Sequence, residues 1–238
     1  MATFTYNGIS MSNYGVIVQE GPFLIGSPLE SNEINYSVSD GSLVTVARFP
    51  SKKIELNCLV RATTHSGLLS YLDSIFKTIS TREDKPLTVS TYTDRYWNCR
   101  VGDFSIDKNS SKSAVVNISF LATDPFAYAN SVSTDIGNTS THTITSNGTA
   151  EAFPTITLTT TGNCSIENET SDEKLTYVGG TNTLTVYCAR NSLFVADENG
   201  DSLMSNLTEL DFPRILPGIN TFVATNCVAD YSWRDRYL

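Results

Sequence analysis

Residues 120–129 read FLATDPFAYA and lie near the middle of a 238-residue chain. Just upstream, Ala114, Val116, Ile118, Phe120 and Ala122 recur at every second position, the period of a strand with one buried face. Just downstream, NSVSTDIGNTSTHTITSNG is small and polar. Pro125 has no amide hydrogen to give a ladder and steers Asp124 away from helix, so pairing is expected to stop at Asp124. Phe126 and Tyr128, two apart, fall on one side as anchors would. Asp124, Pro125, Phe126 and Tyr128 are therefore read as a joint between two domains, 1–128 and 129–223, with a terminal segment at 224–238.

Before the joint, Asn7-Gly8 inside TFTYNGISMS signals a hairpin, and KKIELNCLVR (52–61) alternates cleanly. Between them, residues 21–46 mix turn residues with few periodic positions and read as a long loop or contact arm. THSGLLSYLDSIFKTIS (64–80) carries Leu68, Leu69, Leu72, Ile75, Phe76 and Ile79 at spacings of three and four. That pattern predicts one amphipathic helix, about 65–80, capped by Thr64 or Ser66. PLTVSTY, RYWNCRVGDFSI and KSAVVNISFLAT follow as an antiparallel meander.

After the joint, HTITSNG, FPTITLTT, GNCSIENE, EKLTYVGG, TNTLTVYCA and NSLFVADENGDSLM read as short strands in quick succession. Asn199-Gly200 predicts a type I′ turn, and DFPRILPGINTFV (211–223) would close the domain. Such spacing is what a helix-free β-sandwich produces. The fold class expected is mainly β: a sheet or sandwich with one packed helix, then a second sandwich.

Composition limits the function classes. Charged residues make up 17% of the chain and no apolar run is long enough to span a bilayer, so no membrane insertion is expected. The N-terminus has neither a basic start nor an apolar stretch, so no signal peptide is expected. Cys58, Cys99, Cys164, Cys188 and Cys227 are odd in number and show no C-x-x-C pair, which predicts buried free thiols in a protein made in a reducing cytoplasm. Net charge is −9, and its distribution is uneven. Residues 1–128 hold 11 Lys/Arg against 12 Asp/Glu, and 129–238 hold 5 against 13. Neither half offers the clustered cations that specific nucleic-acid binding needs.

Catalytic signals are absent: the two histidines, His65 and His142, fall in different domains, and there is no G-x-S-x-G, H-E-x-x-H, Walker or G-x-G-x-x-G pattern. Glu167, Glu169, Asp172 and Glu173 invite a glycosidase reading, but SIENETSDEK has the composition of a solvated hairpin loop. ADENGDS (196–202) resembles a calcium loop with its glycine misplaced. No catalytic residue, metal site or cofactor is expected. The C-terminus, SWRDRYL, is unusually apolar for an end that would fray. Trp233, Asp235 and Tyr237 would face one way and Arg234 and Arg236 the other. Trp233, Arg234, Arg236 and Tyr237 are read as a last strand tucked into a sheet or as a subunit or interdomain contact.

Taken together, FLATDPFAYA (120–129), FPRILPGIN (212–220) and WRDRYL (233–238), in this order and spacing, resemble the distal tail (Dit) proteins of siphophages. The resemblance covers nearly the whole chain. It implies an N-terminal domain that closes into a homo-hexameric ring and an outward domain with a galectin-like or carbohydrate-module-like fold. Implied partners are the tail tube protein above, a tail-tip or tail-associated protein below, and a receptor-binding protein at the rim. The implied location is the virion tail, with a lumen for DNA passage. The alternative is a carbohydrate-binding module protein that recognises host cell-wall glycans. With about 95 residues, the second domain is too short to hold an inserted module.

Overall fold

The computed structural model describes residues 2–20, 29–35, 42–180 and 182–238. They divide into two compact units, Met1–Ala127 with Leu238, and Tyr128–Tyr237.

The first unit contains β1 (Phe4–Tyr6), β2 (Ile9–Ser10), β3 (Val16–Glu20), β4 (Glu30–Asn35), β5 (Ser42–Arg48) and β6 (Lys52–Arg61). Helix α1 (His65–Ile79), β7 (Lys85–Val89), β8 (Arg95–Asn109) and β9 (Ser113–Ala122) follow. Its main sheet runs β2-β1-β7-β8-β9-β6-β3. The alternation upstream of the joint is realised in β9, where Ala114, Val116, Ile118, Phe120 and Ala122 are all buried. β7 and β8 lie between β1 and β9 in the sheet, yet the rings of Tyr6 and Phe120 approach to 5.2 Å. The sheet therefore curls around its own core. A main-chain bond from the Val18 amide to the Ala2 carbonyl, 2.9 Å, draws the far strand back towards the first.

The expected hairpin at Asn7-Gly8 is present, and both residues have positive φ, 50° and 77°, which makes its turn type I′. Thr64 is the cap of α1, its hydroxyl accepting from the Gly67 amide at 3.1 Å. The buried stripe of the helix is narrower than the sequence pattern implied. Leu68, Leu72, Ile75 and Ile79 are buried, but Leu69 and Phe76 are 45% and 53% exposed. The 21–46 segment lies outside the described residues at 21–28 and 36–41. Where described, it is not loop: β4 and β5 pair antiparallel from Glu30 opposite Arg48 to Asn35 opposite Ser42. A two-stranded ladder of main-chain bonds leaves little periodic trace in the sequence.

The second unit contains β10 (Ala127–Ala129, which begins at its boundary), β11 (Ser133–Asn138), β12 (Thr141–Ser146), β13 (Thr155–Asn168) and β14 (Glu173–Tyr177). Then come β15 (Asn182–Tyr187), β16 (Phe194–Asp197), β17 (Leu207–Leu210), β18 (Gly218–Trp233) and β19 (Arg236–Tyr237). Two predicted strands, FPTITLTT and GNCSIENE, are one: β13 continues through Gly162. The boundary placed at 223/224 likewise falls inside β18.

These two long strands change neighbours halfway. Thr155–Thr160 lies between β15 and the end of β18, whereas Ser165–Asn168 lies between β14 and the start of β18. β18 pairs first with β12 and later with β11. A register break between Thr160 and Ser165 faces Asn226, which has φ 59°, and together they mark a crease. The Thr160 hydroxyl lies 2.8 Å from the Gly162 carbonyl and 3.0 Å from the Asn226 carbonyl, holding the crease. Phe222, before the crease, meets Tyr231, after it, with ring centroids 4.9 Å apart. The eight-stranded sheet thus folds over on one hydrophobic core that includes Ile156, Leu158, Ile166, Leu184 and Val186.

The turn at Asn199-Gly200 is not type I′, because only Gly200 has positive φ, 87°. The Gly200 amide donates to the Asp197 carbonyl at 3.1 Å, closing a type I turn followed by a left-handed glycine. Asp197 decides the outcome: its Oδ1 accepts from the Asn199 and Asp201 amides at 2.9 and 2.8 Å. Those bonds also hold its carboxyl below the usual carboxylate range, with the Asp201 amide contributing most.

Candidate functional site

In the second unit, two of the three stretches singled out in the sequence come together. The Ala129 amide donates to the Asp235 carbonyl at 2.9 Å, and Arg234 Nη1 reaches the Ala129 and Asn130 carbonyls at 2.9 and 2.6 Å. Arg236 lies over the ring of Tyr128 at 5.6 Å and that of Phe153 at 5.0 Å, with Nη1 on the Glu151 carbonyl at 3.0 Å. On the other side, the Thr149 and Ala150 amides both donate to the Arg236 carbonyl, at 2.9 and 3.0 Å. A Cβ on Gly148 would come within 2.5 Å of that same carbonyl oxygen, so only glycine allows this approach. The last residues are gripped between 128–130 and 148–151.

At the centre of the grip is Asp235, 4% exposed. Its Oδ1 accepts from the Ser146 hydroxyl at 2.7 Å and from Trp233 Nε1 at 3.1 Å, and its Oδ2 from the Asn147 amide at 3.3 Å. Simple alternation fails here, because β18 stops at Trp233 and β19 begins at Arg236. Asp235 and Arg236 are consequently buried side by side, and Trp233 is buried with them. Arg234 and Tyr237 remain half-buried.

Asp124, Pro125 and Phe126, the other residues read as a joint, belong to the first unit. Pro125 is buried, and the Phe126 ring meets Phe49 edge-on at 5.5 Å. The Phe126 amide donates to Asp124 Oδ1 at 3.3 Å.

The FPRILPGIN stretch owes its shape to two buried amides that sequence reading missed. Asn220 Oδ1 accepts from the Leu216 amide at 2.8 Å, while its Nδ2 donates to the Leu216 and Gly218 carbonyls at 2.8 and 3.1 Å. Asn168 Nδ2 donates to Asn220 Oδ1 at 3.2 Å and to the Arg214 carbonyl at 2.6 Å. Both asparagines are 0% exposed. A signal existed: Asn168 continues the period of Cys164 and Ile166, and Asn220 precedes Phe222 and Ala224 at the same spacing.

The acidic cluster is split up by the fold. Glu167 and Glu173 lie on paired strands, with Glu169 exposed and Asp172 at the turn. Glu173 is tied to Arg214 at 2.8 Å and to Ser171 at 2.8 Å. Arg214 also reaches Glu151 at 2.7 Å, and Arg190 pairs with the same carboxylate. Glu151 and, behind it, Glu173 hold the Arg214 guanidinium pKa above its ordinary value. His65 opens α1 and is exposed; His142 packs on Tyr231 at 5.1 Å, with Nδ1 3.0 Å from the Ser140 carbonyl. Among the described residues, no group of three His, Cys, Asp or Glu side chains is placed to hold a metal ion. The arrangement fastens strands and turns to one another, which is structural work.

Residues 9–122 match the family described as the phage tail protein RIFT-related domain. No curated protein matches the chain. Among solved structures, the Dit protein of phage SPP1, described as a paradigm of the hub adsorption apparatus in phages infecting Gram-positive hosts, superposes with a TM-score of 0.84 at 20% identity. That match covers 100% of both chains. The baseplate of phage p2 in its activated, calcium-containing conformation matches with a TM-score of 0.52 at 9% identity, over 99% of this chain and 98% of that one. Residues 9–122 thus match a phage tail RIFT-related domain, and the whole chain has the fold of the SPP1 Dit protein.

Proposed function

We propose that this protein is a structural, non-enzymatic component of a phage tail, a distal-tail hub that closes into a hexameric ring between the tail tube and the tail tip. The observation that carries this reading is the end-to-end correspondence with SPP1 Dit, both units included. In the proposal, the first unit forms the ring around a lumen for DNA, the second, galectin-like unit projects outward, and Asp124–Tyr128 joins them. Tail tube, tail-tip and receptor-binding proteins are the proposed neighbours, and the virion tail is the proposed location. Residues 1–128 are close to electroneutral, which suits a passage along which DNA must slide rather than bind.

The outer face of α1 supports the ring. Leu69 and Phe76, seven residues apart on one helix face, are exposed, and Phe76 meets Phe104 of β8 at 5.6 Å. Exposed apolar side chains grouped in this way mark contact surfaces, and a head-to-tail contact repeated around a closed rotation makes a ring. Light scattering on the purified protein is expected to give six times the 26.0 kDa chain mass, and negative-stain images a ring with a central hole. Phe76→Arg, which leaves the buried stripe untouched, is expected to break the ring into smaller species. A monomer at every concentration, with no rings in the images, would overturn self-closure.

A second reading, recognition of host-wall glycans, has one observation in its favour. Tyr187 is 41% exposed and stacks on Phe194 with ring centroids 6.4 Å apart, a platform suited to a sugar face. A monomer that binds wall polysaccharide through Tyr187 would shift the assignment to that reading.

A further inference from the structure

The five cysteines are all buried and free, but they are not equivalent. Cys58 sits alone in the curled sheet of the first unit, where burial pushes its thiol up to about 12, and burial likewise raises Cys99 and Cys188. Cys164 and Cys227 differ, because both lie at the crease of the second unit, on neighbouring strands. Across the register break, Thr160 stands opposite Cys227 and Ser165 opposite Thr225, which leaves Cys164 diagonal to Cys227. Their side chains share the same core. Cys227 Sγ also lies 3.8 Å from the carbonyl oxygen of Ser165, the residue after Cys164.

Two further features bear on reactivity. Cys227 lines a surface cavity of about 540 Å³ at the crease, together with Gly162, Asn163 and Asn226. The Cys227 neighbour also draws the Cys164 thiol down to about 7, while Cys164 and burial push Cys227 up. Of the two, Cys164 is the thiol more readily deprotonated and Cys227 the one that keeps its proton.

We infer that Cys164 and Cys227 form an oxidisable dithiol site whose substrate is a small hydroperoxide and whose product is a disulfide stapling β13 to β18. The Cys164 thiolate attacks one oxygen of hydrogen peroxide; an S–O bond forms, the O–O bond breaks, and hydroxide leaves to take a proton from solvent. Cys227 sulfur then attacks the resulting sulfenic acid, forming the S–S bond, and its proton departs with the hydroxyl as water. Two thiols lose two electrons in all, and one peroxide becomes two waters. The two cysteines already lie diagonally on paired strands within one core, so closure asks for side-chain rotation and a strand adjustment rather than refolding. The chemistry stands without any assignment of function. Its occasion rests on the tail-protein reading: synthesis in a reducing cytoplasm, then service in a released particle, where a strand staple would harden the sandwich.

The test uses the full-length protein. It is treated with hydrogen peroxide while folded, quenched, denatured and alkylated with iodoacetamide, then analysed by intact mass and peptide mapping. Three alkylated cysteines are expected in place of five, with a loss of about 2 Da and one linked peptide pair containing Cys164 and Cys227. The oxidised protein is expected to melt roughly 5–10 °C higher, a gain removed by dithiothreitol. Cys227→Ser is expected to stop at sulfenic acid on Cys164, trapped by dimedone. Five alkylated thiols after treatment, or a linked pair other than Cys164 and Cys227, would overturn the inference. Peptide mapping of the unmutated chain decides this even if the variant folds poorly.

Discussion

Asp235→Ala is expected to destabilise the second unit by about 3–5 kcal/mol, a large part of the stability of a typical domain. The carboxylate holds three donors at once: the Ser146 hydroxyl, the Trp233 indole N–H and the Asn147 amide. Its removal leaves the first two buried with nothing to accept their hydrogens, and desolvated donors are costlier to strand than ordinary hydrogen bonds are to lose. The grip on the last residues loosens with it, because Asp235 separates Trp233 in the core from Arg236 in its clamp. Urea unfolding followed by tryptophan fluorescence is the measurement. A Trp97→Phe background restricts the signal to Trp233 and so to the second unit. Asp235→Asn should cost less, about 1–2 kcal/mol, because the amide oxygen still serves Ser146 and Trp233. An alanine variant within 1 kcal/mol of the parent would show that the grip does not depend on this carboxylate.

Asn220→Ala is the second large effect, on the order of 3 kcal/mol. One side chain here satisfies the Leu216 amide and the carbonyls of Leu216 and Gly218, and also receives Asn168. Alanine would leave those groups dry and unpaired beneath the Leu216–Gly218 turn. Asn220→Asp discriminates this account from one based on shape alone. It is nearly isosteric, yet it sets a carboxylate oxygen against two carbonyl oxygens, so it should be at least as damaging as alanine. Asn168→Ala, combined with Asn220→Ala in a double-mutant cycle, should show a coupling of about 0.5–3 kcal/mol. Equilibrium unfolding of the four proteins supplies the numbers, and strict additivity would remove Asn168 from the network.

The fold was legible where one physical requirement acted alone on a short stretch. β9 and β6 bury one face, and their alternation shows it; α1 buries one stripe and begins at Thr64 as its spacing implies. Leu69 and Phe76 fooled the pattern because a helix period records apolar side chains, not what covers them. The type I′ reading of Asn199-Gly200 failed because Asp197, two residues earlier, captures the turn amides. The predicted break between FPTITLTT and GNCSIENE failed because Gly162 lies at a crease, not a turn. A glycine marks unusual backbone in either case, and the neighbouring strand decides which.

Among the candidate site residues, the sequence singled out two stretches without showing what joins them. FAYA and WRDRY stood out because aromatics at a joint and at a terminus are unusual. Their meeting through Ala129, Asp235 and Arg234 is a contact across about a hundred residues of chain, which no local spacing encodes. Sequence alone determined the mainly β class, the single helix and its cap, the cysteines as free and buried, and the place where one set of strands ends. These follow from periodicity and from local backbone chemistry, which act within a few residues. Only the tertiary structure decided the crease that turns one sheet into a sandwich, the burial of Asp235, Asn168 and Asn220, and the placing of Cys164 and Cys227 on neighbouring strands at the crease. Each of these depends on which distant backbone groups are left wanting a partner, and that is settled only when the strands have come together.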